Sequence, residues 1–434
     1  MRRILIVGAG QSGLQLGLSL LAEGYEVTIM SARTPDEIRS GWVMSTQAMF
    51  GTALRTEQVY GLNLWQRDAP GVEGMQLSVS APPGEKVVNV LAPLDEYASS
   101  VDQRLKMAAW LELFEERGGL VHYQGVTTAD LDGLTSMRRY DLTIVAAGKS
   151  DLVGVFDRDP LRSVFEAPQR GLAVAYVHGL DPDPFFNRTK IELNVVPGLG
   201  ELIVIPGLTL SGRCDILFWE AVPDGPLDLW RYRRDPAEHL KMTLDLIRQY
   251  TPWVYERCRH VELTDGRATL SGRYTPTVRR PAAVLPSGGL VLGMADVVVA
   301  NDPITGQGSN TAAKCAASYC AAIKSRGTEP FDHAWMVRTF ENFWAEHGRA
   351  VTEWTNAMLQ PMPPHVRALL GAAQHNGTIA RRLVNGFSDP NDFQHWFLDP
   401  YKADAFLRAA VHGADPGVHP PVPHPPGHRY GESP

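Results

Sequence analysis

Cysteine is scarce in this chain: four in 434 residues, Cys214, Cys258, Cys315 and Cys320. None has the spacing of a metal-ligand pair, so neither a disulfide scaffold nor a metal module is expected. The pattern fits reduced, buried thiols of a cytoplasmic protein. Cys315 and Cys320 stand five apart, which on a helix points their side chains in diverging directions and argues against a redox pair. There is no basic tract, and the formal net charge is −7; nucleic acid is not an expected partner. No apolar run reaches the ~20 residues of a membrane span, so no membrane partner is expected. The short run Ile4–Val7 leads straight into a glycine turn and is not the core of a signal peptide.

What is present is a soluble, globular composition, 44% hydrophobic and 21% charged, in a chain long enough for two lobes. Gly8, Gly10 and Gly13 follow the apolar run Ile4-Leu5-Ile6-Val7 and precede Leu14, Leu16, Leu18 and Leu21. This places a G-x-G-x-x-G turn between a buried strand and a helix, with a second strand at Glu26–Met30. Gly8 permits the tight turn, Gly10 lets a pyrophosphate approach the backbone, and Gly13 lets helix pack on strand. Ala9 and Ser12 complete the turn, and the helix N-terminus offers free N–H groups to phosphate. A dinucleotide site is expected here. The acidic residue that usually closes the second strand and holds a ribose is missing, however. The chain reads Met30-Ser31-Ala32-Arg33, where Ser31 is a weaker ribose partner and Arg33 hints at a 2′-phosphate.

The texture along the chain predicts an α/β protein of five segments. Residues 1–168 form the first part of a nucleotide-binding domain. It includes a loop-rich insertion from about Ala32 to Ser99, a helix over Val101–Arg117, and strands at Gly119–Tyr123 and Tyr140–Ala146. Residues 169–286 read as an inserted, mostly antiparallel sheet, with strands at Gly171–Val177, Lys190–Val196, Gly200–Ile205 and Cys214–Ala221 and a helix over Pro236–Tyr250. Residues 287–330 return to the first domain through the strand Leu290–Gly293 and a helix over Asn310–Ile323. Residues 331–414 are helical (Asp332–Met358, Pro364–Ala373, Ala403–Val411), and their Trp335, Phe340, Phe343 and Trp354 are read as core. The Pro- and His-rich tail, 415–434, is expected to be disordered.

A second signature follows the return strand: Asp296, then Asp302-Pro303-Ile304-Thr305-Gly306-Gln307-Gly308-Ser309-Asn310. A carboxylate after a buried strand can accept a hydroxyl from a ribitol chain. A glycine-rich entry to a helix gathers N–H groups that favour a negative ring system such as a reduced flavin. Together these parts resemble the flavoprotein monooxygenases of the para-hydroxybenzoate hydroxylase fold, from Met1 to about Ala350. The resemblance implies a Rossmann-type FAD-binding domain with an inserted antiparallel substrate domain and a helical C-terminal region. On it, Gly8, Gly10 and Gly13 hold pyrophosphate and Asp296 holds the ribitol. Pro303, Gly306, Gln307, Gly308 and Asn310 match the P-x-x-G-Q-G-x-N loop under the isoalloxazine, and Arg104 matches an arginine that reaches the FAD.

Two departures narrow the resemblance. The Asp-Gly pair that single-component members carry after the Tyr140–Ala146 strand is replaced by Ala147-Gly148-Lys149, and the acid after the second strand is absent. Both resemble the styrene monooxygenase family, two-component enzymes whose oxygenase takes reduced FAD (FADH2) from a separate NAD(P)H:flavin reductase and reacts it with O2. The resemblance implies a C4a-(hydro)peroxyflavin that epoxidises an aromatic alkene, with no catalytic residue assigned on the protein and no metal. Within the family, Ser45, Gln47, Met49, Val72 and Ala98 are similar to the indole monooxygenase branch. Met75 departs from it mildly, and these six are the expected substrate-binding set, with Ser45 or Gln47 facing an indole N–H. The partners implied are the reductase and an aromatic small molecule; a homodimer is compatible with the sequence. The rival readings are a single-component NAD(P)H-dependent aromatic hydroxylase and a non-catalytic FAD- or dinucleotide-binding protein.

Overall fold

The computed structural model describes residues 2–148, 150–184, 186, 188–232 and 235–411. Lys149 and the expected disordered tail at 415–434 therefore lie outside the described residues. Among those described, the strands form two large sheets and a two-stranded ribbon.

The first sheet starts from β1 (Arg3–Val7), whose Ile4, Leu5 and Ile6 are fully buried. A strand covered on both faces is apolar throughout and pairs in parallel. It lies between β2 (Glu26–Ser31) and β7 (Leu142–Val145), both parallel to it. β6 (Leu120–Tyr123) extends the sheet beyond β2, and the strand Leu290–Gly293 extends it beyond β7; Ala282–Val284 closes the edge in antiparallel pairing. Helix α1 (Gln11–Ala22) crosses back from β1 to β2 and is buried from Gln11 to Leu20.

The second sheet corrects the expectation of a loop-rich stretch from Ala32 to Ser99. That stretch contains β3 (Ala48–Met49), β4 (Val72–Ser80) and the fifteen-residue β5 (Lys86–Ser100). β4 pairs in parallel with β9 (Lys190–Val196), so the hairpin completes the inserted sheet. The physical reason is complementarity: the β4 backbone from Gly74 to Val79 pairs along the edge of β9, and Met75, Leu77 and Val79 join Ile191 and Leu193 in one apolar cluster. β8 (Gly171–His178), β10 (Gly200–Thr209) and β11 (Gly212–Ala221) pair in antiparallel fashion as expected. Alternation gives this sheet two cores. Ala173, Leu202, Val204, Leu217 and Trp219 pack outward against the helix Pro236–Tyr250. Val174, Ile203, Ile205, Ile216 and Phe218 face the C-terminal helices.

Helix His333–Phe343 continues through a π-turn, Trp344–Gly348, into Arg349–Met358. Trp335, Phe340 and Phe343 enter the core of the first sheet, and Trp354 enters that of the second. The four aromatics are core residues, and their helix joins the two halves. No helix among the described residues is long and apolar enough to cross a membrane, and no cluster of three His, Cys, Asp or Glu is arranged to hold a metal. All four cysteines are buried and unpaired.

Candidate flavin and substrate site

The C-terminal ends of β1, β7 and Leu290–Gly293 bring three turns together. Gly8 has φ +120°, a conformation L side chains rarely adopt. A Cβ there would lie 2.7 Å from the carbonyl carbon of Ala146. A Cβ on Gly13 would lie 2.1 Å from the Gly8 oxygen, and one on Gly148 would lie 2.6 Å from the Asp296 Cβ. These glycines are demanded by packing, and they seat the Asp296 turn against the Ala146–Gly148 turn. Gly10 is different, because an added Cβ meets nothing within 4 Å. It borders open space at the start of α1, where no side chain caps the helix. Ser12 is buried in the first turn, and Ala9 is half-buried. Asp296 is exposed.

The second signature forms a short turn and a helix. Pro303–Thr305 make one 3-10 turn, capped by Asp302, whose carboxylate accepts from the Ile304 N–H at 3.2 Å. Gly306 follows at φ +65°, and helix Gly308–Arg326 begins without a side-chain cap. Cβ atoms on Gly306 or Gly308 would also meet nothing within 4 Å. Gln307 donates to the Phe387 carbonyl at 2.9 Å, but its buried Oε1 has no partner. Asn310 is spent on the protein: it donates to the Ala48 and Gly306 carbonyls and accepts from the Phe50 N–H at 2.8 Å. It ties the loop to β3. Two uncapped helix starts, three open glycines and an orphaned acceptor are what a bound flavin dinucleotide requires.

Two expected cofactor contacts are engaged elsewhere. Arg104 is 1% exposed, with its guanidinium nitrogens on Asp102, Asp265, Thr209 and the Gly41 carbonyl. Burial works against its charge, and the two carboxylates restore it, leaving its pKa raised. It locks the end of β5 to the 265 turn. Ser31 donates to the Arg33 carbonyl at 2.6 Å, and Arg33 is exposed.

Beside Pro303–Gly306 lies a cavity that is partly open to solvent. Its apolar walls include Met75, Ile191, Leu193, Ile203, Ile205, Phe218 and Phe387. Of the six expected substrate residues, Met75 alone lines it. Gln47 and Met49 are set apart by alternation: Thr46, Ala48 and Phe50 face this cavity, while Gln47 and Met49 face a second one, and Ser45 lines neither. That second cavity also touches Gln11, Gln103 and Lys106, and Lys106 is paired with Glu57. Ser45 donates to the Gln47 Oε1 at 2.8 Å, Gln47 donates to the Tyr176 hydroxyl at 2.7 Å, and that hydroxyl donates to the Ser45 carbonyl. Val72 and Ala98 are cross-strand partners with no exposure and line neither cavity. Composition gave no sign of Phe387. Alternation alone would have separated Thr46, Ala48 and Phe50 from their neighbours.

Comparison with known proteins gives the family. Residues 148–257 match the family described as "Styrene monooxygenase A putative substrate binding domain". Styrene monooxygenase StyA of Pseudomonas fluorescens is 31% identical over 412 residues, covering 92% of this chain and 96% of the relative. A second StyA, from a Pseudomonas species, has the same identity and coverage. The chain belongs to the styrene monooxygenase family. It is therefore a two-component flavin-dependent monooxygenase working with reduced FAD and O2, and the open glycine turns fit that cofactor. The family match opens at residue 148, ahead of the boundary expected at 169.

The same fold appears in more distant structures. A flavin-dependent brominase superposes with a TM-score of 0.64 at 14% identity, covering 93% of this chain and 98% of its own. The p-nitrophenol 4-monooxygenase of Pseudomonas putida DLL-E4 gives 0.59 at 12% identity, with coverage of 90% and 99%. These likenesses support the para-hydroxybenzoate hydroxylase fold.

Proposed function

We propose that this styrene monooxygenase family member epoxidises flat, uncharged aryl alkenes, styrene and indole among them, in the cavity between Met75, Phe218 and the Pro303–Gly306 loop. The observation that carries the reading is the lining. Thr46 and Thr305 are its polar side chains, and the Thr305 hydroxyl is held by Thr355 at 2.7 Å. Such a wall binds an arene by burial and rejects a carboxylate, for which it has no counter-charge.

Reduced FAD, when bound, supplies with O2 the electrophilic oxygen that an alkene accepts. Gly8, Gly10, Gly13, Asp296, Gly306, Gly308 and the backbone N–H groups of the following helix would hold it. The chain's own contribution is placement and dryness. Asn310 joins the cofactor loop to β3, so the loop and the Ala48–Phe50 wall move as one unit. Phe387 and Phe218 exclude water from the alkene's position. The electrons come from a separate flavin reductase, by transfer of FADH2. The indole branch is supported by the residue types at Ser45, Gln47, Met49, Val72 and Ala98. The placement of Gln47 and Met49 makes their influence indirect, through the β3 backbone.

Purified protein, chemically reduced FAD and O2 should convert styrene to its oxide and indole to a blue product. Release of hydrogen peroxide alone, with neither alkene altered, would overturn the reading.

A further inference from the structure

Three aromatic rings line the alkene cavity, and one of them is held differently from the others. Phe218 is set by strand β11, and Phe50 by the Asn310 side chain that accepts from its N–H. Phe387 lies in the turn after helix Gly377–Asn385. Its ring meets Phe50 with centroids 5.9 Å apart and Trp354 edge to face at 4.8 Å. The N–H groups of Phe387 and Ser388 bond back to that helix, but the two carbonyls are tied from outside it. The Phe387 carbonyl accepts from Gln307 at 2.9 Å. The Ser388 carbonyl accepts from the Lys314 ammonium at 3.2 Å and from the Thr52 hydroxyl. Gln307 and Lys314 both belong to the helix that begins at the flavin loop. Lys314 is buried, and among the described residues no carboxylate forms an ion pair with it. A buried ammonium is costly unless its hydrogen bonds are used, and a charged donor makes the stronger bond.

We propose that Phe387 decides which arenes the cavity accepts, and that Lys314 is its positioning residue, holding the Phe387–Ser388 turn to the helix of the flavin loop. This rests on the reading that the cavity beside Pro303–Gly306 binds the alkene. A ring on a strand has its place set by the ladder, whereas a ring in a turn goes where the turn is tied. Without the Lys314 donor the Ser388 carbonyl keeps the Thr52 hydroxyl alone, and the Phe387 wall can move outward. No neighbouring cation takes over the bond. Arg55, in helix Gly51–Gln58, is paired with Glu96. His347, in the π-turn Trp344–Gly348, is kept neutral by burial and by the charge of Lys314, its pKa pushed down to about 4 against Asp389. Burial brings Lys314 itself down to about 8, with Asp389 holding it up and Arg55 pressing it down, so it is an ammonium at neutral pH.

Calorimetry of the flavin-free protein with two unreactive arenes, ethylbenzene and 2-ethylnaphthalene, tests this without turnover. Phe387→Leu should raise affinity for the larger arene relative to the smaller by about tenfold, the scale of a small size change in an apolar pocket. Lys314→Met keeps the stem and removes the donor. It should move the same ratio in the same direction by about threefold, the scale of one hydrogen bond, and leave FAD affinity unchanged. Because Lys314 acts through Phe387, the double variant should match Phe387→Leu alone. Phe387→Met and Lys314→Leu give the same comparison if either first variant does not fold. An unmoved ratio in the Phe387 variant overturns the proposal. So does a Lys314 variant with a lowered thermal midpoint and a wild-type ratio, or a double variant in which the two effects add. A wild type that binds neither arene overturns the cavity reading, and the proposal with it; binding with unmoved ratios overturns this proposal alone.

Discussion

Glycines with the same sequence role have different physical duties here. Gly13 is fixed by contact, since a methyl group there would meet the Gly8 carbonyl at 2.1 Å. Gly10 is fixed by vacancy, since nothing lies within 4 Å of its added Cβ. The two substitutions should therefore fail differently. Gly13→Ala forces the helix away from β1 and should destabilise the fold by an amount on the order of 1–3 kcal/mol, as overpacking does. Gly10→Val should leave the thermal midpoint near wild type and abolish flavin binding. Thermal unfolding and flavin-fluorescence titration, run side by side, check the pair. A Gly10→Val protein that still binds FAD would place the pyrophosphate elsewhere. Arg104 gives the converse lesson. A lone arginine on a helix resembled a cofactor ligand, but Asp102 and Asp265 claim its nitrogens.

At the scale of elements, the alternation of β3 and its approach divides two cavities, with Thr46, Ala48 and Phe50 on one side and Gln47 and Met49 on the other. Ala48→Leu should fill part of the alkene cavity and cut indole turnover relative to styrene by about tenfold or more, the scale of one added group in an apolar pocket. Exchanging Ser45, Gln47 and Met49 for Asn, Val and His should move the ratio less. Competing initial rates for the two alkenes decide it. A larger shift from the odd-numbered exchange would mean that β3 presents its other face to the substrate. The same parity explains what the sequence made legible. The glycine turn and the Pro303–Asn310 loop could be read because each residue type answers a local demand of backbone or charge. Strand β4 carries a local signal too, since Met75-Gln76-Leu77-Ser78-Val79-Ser80 alternates apolar and polar; its place in the inserted sheet could not be read, because its partner, β9, lies over a hundred residues away. Glu220, at the end of Leu217-Phe218-Trp219, reads as a solvated strand end until the sheet register buries it.

At the scale of the whole molecule, two buried groups on opposite faces of the second sheet should pull stability in opposite directions with pH. His239 lies in the helix Pro236–Tyr250, 2% exposed, with its Nε2 unpartnered, and burial pushes its pKa down to about 4. Its folded value is below the unfolded one, so the stability of the neutral form is fully present above about pH 6.5 and is lost as pH falls toward 4. The full span is on the order of 3 kcal/mol. Glu220 is raised by desolvation, then by Asp302 and Glu201, so its contribution is present below the ordinary carboxylate range and is lost as pH rises through its raised value. Over the mildly acidic range these slopes oppose each other, and the wild-type curve hides both. Differences from wild type separate them, because other titrating groups cancel. His239→Gln should gain stability relative to wild type as pH falls from 6.5 to 4, and Glu220→Gln should gain relative to wild type as pH rises over the same interval. Denaturant unfolding at each pH measures both. If the two differences run parallel with pH, the burial assigned to one of these groups is wrong, and the sheet face carrying it must be more open to water than its packing indicates.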